Sequence, residues 1–281
     1  MSDLYRRVAG APRTRRQALT PSPLFVLVVA LTVLGGVLAA RGSDASLRST
    51  GIGVFLFVVA GWIVSLCLHE FAHAVAAYRA GDTDVLSAGY LTLNPLLYGH
   101  PIFSVVLPVV FVIAGGIGLP GGAVYLHRHR FRTKALASVV SLVGPGVNVV
   151  LGAILLFTVA AHGPVGDDYG GYIALGPGDA FWAGVGFLGF LQVTAAILNL
   201  LPVPGLDGWG AIEPWVKPET AAAANKFAPF GLLVVFALFF WVPGVNQVFF
   251  DVVDAIVGLT GAPDGASAIG RQLFRFWNLS G

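Results

Sequence analysis

A chain of 281 residues with a mean hydropathy of +0.82, 56% apolar residues and only 11% charged ones is no ordinary soluble domain, since those carry about a quarter charged residues. Its formal charge of +2 comes from arginines at loop positions rather than from a basic stripe, which argues against a nucleic-acid partner and for segments flanking a lipid bilayer. The single cysteine, Cys67, excludes an internal disulfide and a thiolate metal cluster. The expected fold class is an all-α polytopic membrane protein of about five to six transmembrane helices, with a re-entrant or broken segment near an active site and little chain left for a soluble domain.

The first twenty residues carry Arg6, Arg7, Arg13, Arg15 and Arg16 ahead of an apolar run from Leu24 to Ala40. A secretory signal is the competing reading. The run is long for one and Ala39-Ala40-Arg41 is a poor cleavage context, so a retained first span with a cytoplasmic amino terminus is expected. Gly51 to Tyr78 is long enough for a tilted second span that returns to the cytoplasmic side. Its second half holds His69-Glu70-Phe71-Ala72-His73. Residues four apart share a helix face, so His69 and His73 can turn two imidazoles towards one ion with Glu70 beside them. Ionisable groups inside a membrane are costly, and three within five positions point to function. The pattern is that of a zinc hydrolase, in which Zn2+ keeps three protein ligands and a water, and Glu70 takes that water's proton.

Gly81 to Pro101 is turn and extended-chain sequence, a connector in which His100 reads more readily as a turn residue than as a ligand. Ile102 to Val124 is apolar but broken by Gly115-Gly116, Gly118, Pro120 and Gly121-Gly122, and Arg128, Arg130, Arg132 and Lys134 follow. The positive-inside rule puts both ends on one side, so a re-entrant or broken hairpin beside the site is expected rather than a full span. His127 and His129 alternate with arginine and read as solvated loop. Lys134 to Ala161 is the next span and contains Gly144-Pro145-Gly146-Val147-Asn148. A buried amide needs a partner, so Asn148 should face the bundle interior, as a structural bond or as a substrate contact.

The acidic loop from His162 to Asp179 reads as external. Ala180 to Leu201 then runs back to Asn199-Leu200-Leu201-Pro202-Val203-Pro204-Gly205-Leu206-Asp207-Gly208. Two prolines two apart end a regular helix and leave Asp207 on irregular backbone at a depth comparable to His73, where the pair lacks a third ligand. Phe227 to Phe250 is the last apolar run, with Pro243-Gly244 as a kink or end, and the tail bearing Arg271, Arg275 and Trp277 is expected on the membrane surface.

His69-Glu70-Phe71-Ala72-His73, the Gly-Pro-x-x-Asn of Gly144, Pro145 and Asn148, and the Asn-x-x-Pro-x-Pro-x-x-Asp-Gly from Asn199 to Gly208 occur in an order that resembles the site-2 protease family of intramembrane zinc metalloproteases. The resemblance covers Gly51 to Gly208. It implies that His69, His73 and Asp207 bind Zn2+, that Glu70 is the general base, and that Asn199 and Asn148 are further catalytic polar groups. It also implies a transmembrane substrate with a single span, often a membrane-tethered regulator, cut within the plasma membrane of a bacterium. Leu91 to Pro95 is similar to a family branch in which this stretch precedes His-Ile-Asp-Pro, where the present chain departs with Tyr98-Gly99-His100-Pro101. The expected organisation is a basic tail and first span over 1–50, a protease core over 51–208, and a connector, last span and surface tail over 209–281. A zinc transporter or channel is the rival from another class, but no inverted repeat is visible. A catalytically silent scaffold would have no use for Glu70.

Overall fold

The computed structural model describes residues 19–43, 46–98, 106, 109–110, 112–113, 118, 130–163, 165–168, 173–263 and 265–279. The basic segment before residue 19, His100, His127, His129 and most of the run from Ile102 to Val124 lie outside the described residues.

Helix α1 (Pro23–Ala40) starts where Ser22 Oγ accepts from Phe25 N at 3.1 Å and Pro23 takes the first position, whose N–H no helix needs. Helix α2 (Leu47–Ala80) runs back along it for 34 residues. Thr50 closes the turn between them, its Oγ1 accepting from Ser43 N and donating to Ser43 O, both at 3.0 Å. The two helices approach backbone to backbone: a Cβ on Gly35 would collide with the main chain of Phe57, and one on Gly53 with that of Ala39. Small residues serve here because lipid provides no hydrophobic drive, so close packing must hold the pair.

A short helix α3 (Asp84–Ala88) and a 3-10 turn (Tyr90–Thr92) follow, then α4 (Lys134–His162), capped by Thr133 Oγ1 accepting from Leu136 N. A two-residue antiparallel ladder, β1 (Asp167–Asp168) with β2 (Ile173–Ala174), leads into α5 (Asp179–Asn199). Asp179 Oδ2 ties this corner together by accepting from Gly176 N at 2.7 Å and Gly166 N at 3.1 Å. Helix α5 is the axis of the bundle, with 83% of its apolar window buried against 22% for α1. These boundaries fall within a few residues of the four expected spans.

The remaining chain forms α6 (Asp207–Ile212), α7 (Pro218–Asn225), α8 (Gly231–Trp241), α9 (Val245–Gly258) and α10 (Ala266–Phe274). The segment from Pro218 to Phe239 can serve as one further broken span, bent by 46° between Asn225 and Ala228. The apolar run from Phe227 to Phe250 divides at the expected Pro243-Gly244 break, α8 ending at Trp241 and α9 starting at Val245, because Pro243 cannot continue the ladder and Gly244 takes a left-handed φ of +85°.

The tail also departs from expectation. Ile269, Leu273 and Phe274 on α10 are buried, and Gly270 rests on the carbonyl of Ala183 in α5. The helix therefore docks one face into the bundle, which the sequence reading did not foresee. In the segment expected to be re-entrant, Val112 is buried in the core and Gly118 N donates to Thr194 Oγ1 of α5 at 2.9 Å.

Candidate metal centre

His69 and His73 lie one turn apart on the face of α2 that meets α4 and α6, each about 95% buried. Their Nε2 atoms are 3.1 Å apart, and Asp207 Oδ2 lies 3.2 Å from His69 Nε2 and 3.4 Å from His73 Nε2. A tetrahedral ion with bonds of about 2.0–2.1 Å separates its ligand atoms by about 3.3 Å, so the three donors have the spacing that zinc requires.

The hydrogen bonds behind the rings agree. His69 Nδ1 is 2.6 Å from Asn148 Oδ1, and His73 Nδ1 is 2.6 Å from the carbonyl of Val140. A carbonyl oxygen can only accept, so Nδ1 is the protonated nitrogen of His73 and its Nε2 lone pair faces the triad. Burial alone would raise the Asp207 carboxyl. The rings of His73 and His69 outweigh that when they carry a proton on Nε2, and when they present lone pairs there instead the carboxylate is the anionic member of the donor set. Two imidazoles and a carboxylate are a catalytic zinc set.

Local sequence explains how these groups arrive. Pro145 has no N–H for the carbonyl of Ser141, and the neighbouring Val140 carbonyl is the one that meets His73. Gly144 lies over the pair, where a Cβ would overlap Nε2 of both His73 and His69. The proline-broken loop after α5 reverses at Gly205, whose φ of +99° suits glycine, and starts α6 at Asp207. Ser138 of α4 anchors α6 by donating to the carbonyl of Ala211 at 2.6 Å, while Trp215 Nε1 donates to Ser138 Oγ at 2.9 Å. Trp209 Nε1 donates to Asn225 Oδ1 at 2.8 Å, and Asn225 Nδ2 donates to Glu213 Oε1 at 2.6 Å.

Of the residues expected at the site, His69, His73 and Asp207 are brought together, and among the described residues they form the one group of three or more His, Cys, Asp or Glu side chains able to share an ion. Glu70 is buried beside them on α2. Asn148 accepts at Oδ1 from His69 and donates from Nδ2 to Gln192 at 2.7 Å, which is the structural bond expected of a buried amide. Asn199 ends α5 with 4% exposure, and among the described residues no group hydrogen-bonds its side chain. Sequence reading passed over Gln192, Ser65 and the steric demand at Gly144. Gln192 carried a signal, as an amide inside an otherwise apolar span.

The chain is 47% identical over 267 residues to a protein of Mycolicibacterium smegmatis named as a zinc metalloprotease, Rip2, covering 95% of this chain and 98% of the relative. Rip2 of Mycobacterium tuberculosis is 45% identical over 265 residues, with coverages of 94% and 97%. A zinc metalloprotease by name from Bacillus subtilis, YwhC, is 32% identical over 186 residues, 65% of this chain and 80% of its own. No family model matches the chain, and no solved structure matches it.

Proposed function

The chain belongs to the site-2 protease family of zinc metalloproteases, and from that premise we propose that this integral membrane enzyme is an intramembrane endopeptidase cutting the transmembrane segment of a single-span protein. The observation that carries the proposal is the burial of the His69, His73 and Asp207 donor set within a bundle whose helices are long and apolar enough to span a bilayer. A water-soluble substrate would have no reason to seek a site at that depth.

When bound to His69, His73 and Asp207, Zn2+ supplies a Lewis acid that polarises a peptide carbonyl and lowers the pKa of water to about 7. Glu70 takes a proton from the attacking water and delivers it to the amine as the C–N bond breaks. The amide of Asn199 donates to the carbonyl oxygen as negative charge develops there. Asn148 holds His69 from behind. A peptide bond within a helix has its carbonyl engaged and shielded, so the substrate must unwind at the cleft, and the irregular backbone from Pro202 to Leu206 offers edges on which an extended strand can settle.

In this reading residues 51–208 are the catalytic core, 1–50 an anchoring span with its amino terminus in the cytoplasm, and 209–281 a support that closes the far side. A bacterial plasma membrane and a membrane-tethered regulator as substrate fit the same reading. The test is Glu70→Gln, with zinc content and cleavage of a co-expressed single-span reporter measured together. Retained zinc with cleavage reduced about 100-fold or more is expected. Unchanged cleavage would remove Glu70 from the mechanism, and cleavage confined to soluble peptides would remove the intramembrane substrate.

A further inference from the structure

Four buried polar groups behind His69 form a chain that joins three helices. His69 Nδ1 on α2 meets Asn148 Oδ1 on α4 at 2.6 Å, Asn148 Nδ2 meets Gln192 Oε1 on α5 at 2.7 Å, and Gln192 Nε2 meets Ser65 Oγ back on α2 at 2.8 Å. Ser65 Oγ ends the chain on the carbonyl of Gly61 at 3.0 Å. Gln192 is fully buried, and Asn148 and Ser65 are 2% and 4% exposed.

The far end sets the direction of every proton in this chain. The Gly61 carbonyl can only accept, so Ser65 donates to it and leaves its lone pairs for Gln192. Gln192 must then turn its NH2 to Ser65 and its oxygen to Asn148. Asn148 in turn must present its NH2 to Gln192 and its oxygen to His69. An oxygen there requires N–H on Nδ1 of His69, which leaves the Nε2 lone pair for the metal. A reversed Asn148 amide would set N–H against N–H and would stabilise the wrong tautomer.

His73 reads its tautomer from one backbone carbonyl, Val140, with no side chain between. His69 meets the side-chain carbonyl of Asn148 in place of a backbone one and gains the same information through three side chains. We infer that Gln192 and Ser65 are positioning residues for the zinc ligand His69, setting its tautomer and ring orientation through Asn148. The inference rests on His69 and His73 being zinc ligands. Outer partners of metal-bound histidines commonly change affinity or activity by about 10–100-fold when removed.

The test compares zinc affinity, by competition with a chromophoric chelator, and the visible spectrum of the cobalt-substituted protein across purified variants in detergent. Gln192→Leu should bind zinc about 10–100-fold more weakly and alter the cobalt bands, because Asn148 loses the acceptor that fixes its amide. Gln192→Glu should remain close to the parent protein, since a buried neutral carboxyl accepts through one oxygen and donates through the other, in the same direction. Ser65→Ala, which removes a single helix-borne oxygen and is the safeguard should the leucine variant not fold, should weaken zinc several-fold. The double variant should be no weaker than Gln192→Leu alone, because one break interrupts the whole chain. Parent-like zinc affinity and cobalt spectrum in Gln192→Leu or in Ser65→Ala overturn the inference, as does a Gln192→Glu protein as weak as the leucine variant. His69→Ala in the same assay separates the two claims: parent-like zinc binding there would sink the metal centre itself, whereas lost binding there with intact binding in the Gln192 and Ser65 variants sinks the positioning chain alone.

Discussion

Helices α2 and α5 are held in opposite ways at their two ends. At the metal end α2 is joined to α4, α5 and α6 by hydrogen bonds and donor atoms with fixed directions: His73 to Val140, His69 through Asn148 to Gln192, and both rings to Asp207. About 27 Å away along α2, near Gly51, the contacts with α10 and the residues after it are mainly aromatic and aliphatic. There Phe55 lies 5.1 Å from Phe274, 5.5 Å from Phe276 and 6.1 Å from Trp277, and Gly51 rests on the carbonyl of Leu273. Aromatic packing tolerates small shifts and sets no proton, so the α10 end fastens the bundle while the other end dictates geometry. Function and stability should therefore separate along the length of the same two helices.

The sharpest way to break this comparison is at the ligands. Chelation of the metal, or Asp207→Ala, should remove bound zinc and reporter cleavage together while helical content by circular dichroism persists; normal metal content in that variant would show the third ligand to be wrong. Gly144→Ala comes next, since the added methyl overlaps both Nε2 atoms. Zinc affinity should fall on the order of 100-fold, close to 2.7 kcal/mol, with little change in melting temperature. Phe274→Ala should do the reverse. Its buried ring touches Phe55, Phe187 and Trp277, and losing it should cost about 2 kcal/mol of stability in denaturation with zinc affinity unchanged in the folded fraction. That figure is below the roughly 3–5 kcal/mol of a soluble core because lipid also solvates the ring when the helices part.

Two smaller effects sharpen the boundary. Ser138→Ala frees the α6 carbonyl at Ala211 and the indole of Trp215, which should cost about 1 kcal/mol and weaken zinc only a few-fold through Asp207. Arg130→Ala removes the exposed pair of Arg130 Nη1 with Asp84 Oδ1 at 2.7 Å and the longer one with the buried Asp82 Oδ1 at 3.7 Å, and should lower stability slightly while changing neither zinc affinity nor cleavage measurably. A large loss there would extend the sensitive region beyond the ligand shell to the connector after α2.

The four spanning helices, the His69 and His73 pair and the proline-broken approach to Asp207 were legible from the residues alone, although Asp207 itself opens a short helix rather than lying on irregular backbone. Span length follows from apolar run length, and the register of two histidines four apart is a property of any α-helix. The docking of α10 was not legible, since Ile269, Leu273 and Phe274 make an apolar stripe that would suit a bilayer surface equally well. Nor were the partners of Asn148. Its partners lie 79 residues away at His69 and 44 away at Gln192, and only the packing of α4 between α2 and α5 selects them.

What the sequence by itself determined is therefore the membrane class, the chemistry of the donor set and the helix that carries two of its members, because these depend on composition and on contacts within one turn. The tertiary structure alone decided which carbonyl stands behind each imidazole, why position 144 admits no side chain, and what closes the opposite end of the bundle. Hydrogen-bond direction and steric exclusion are relations between atoms brought together by packing, and no spacing along the chain encodes them.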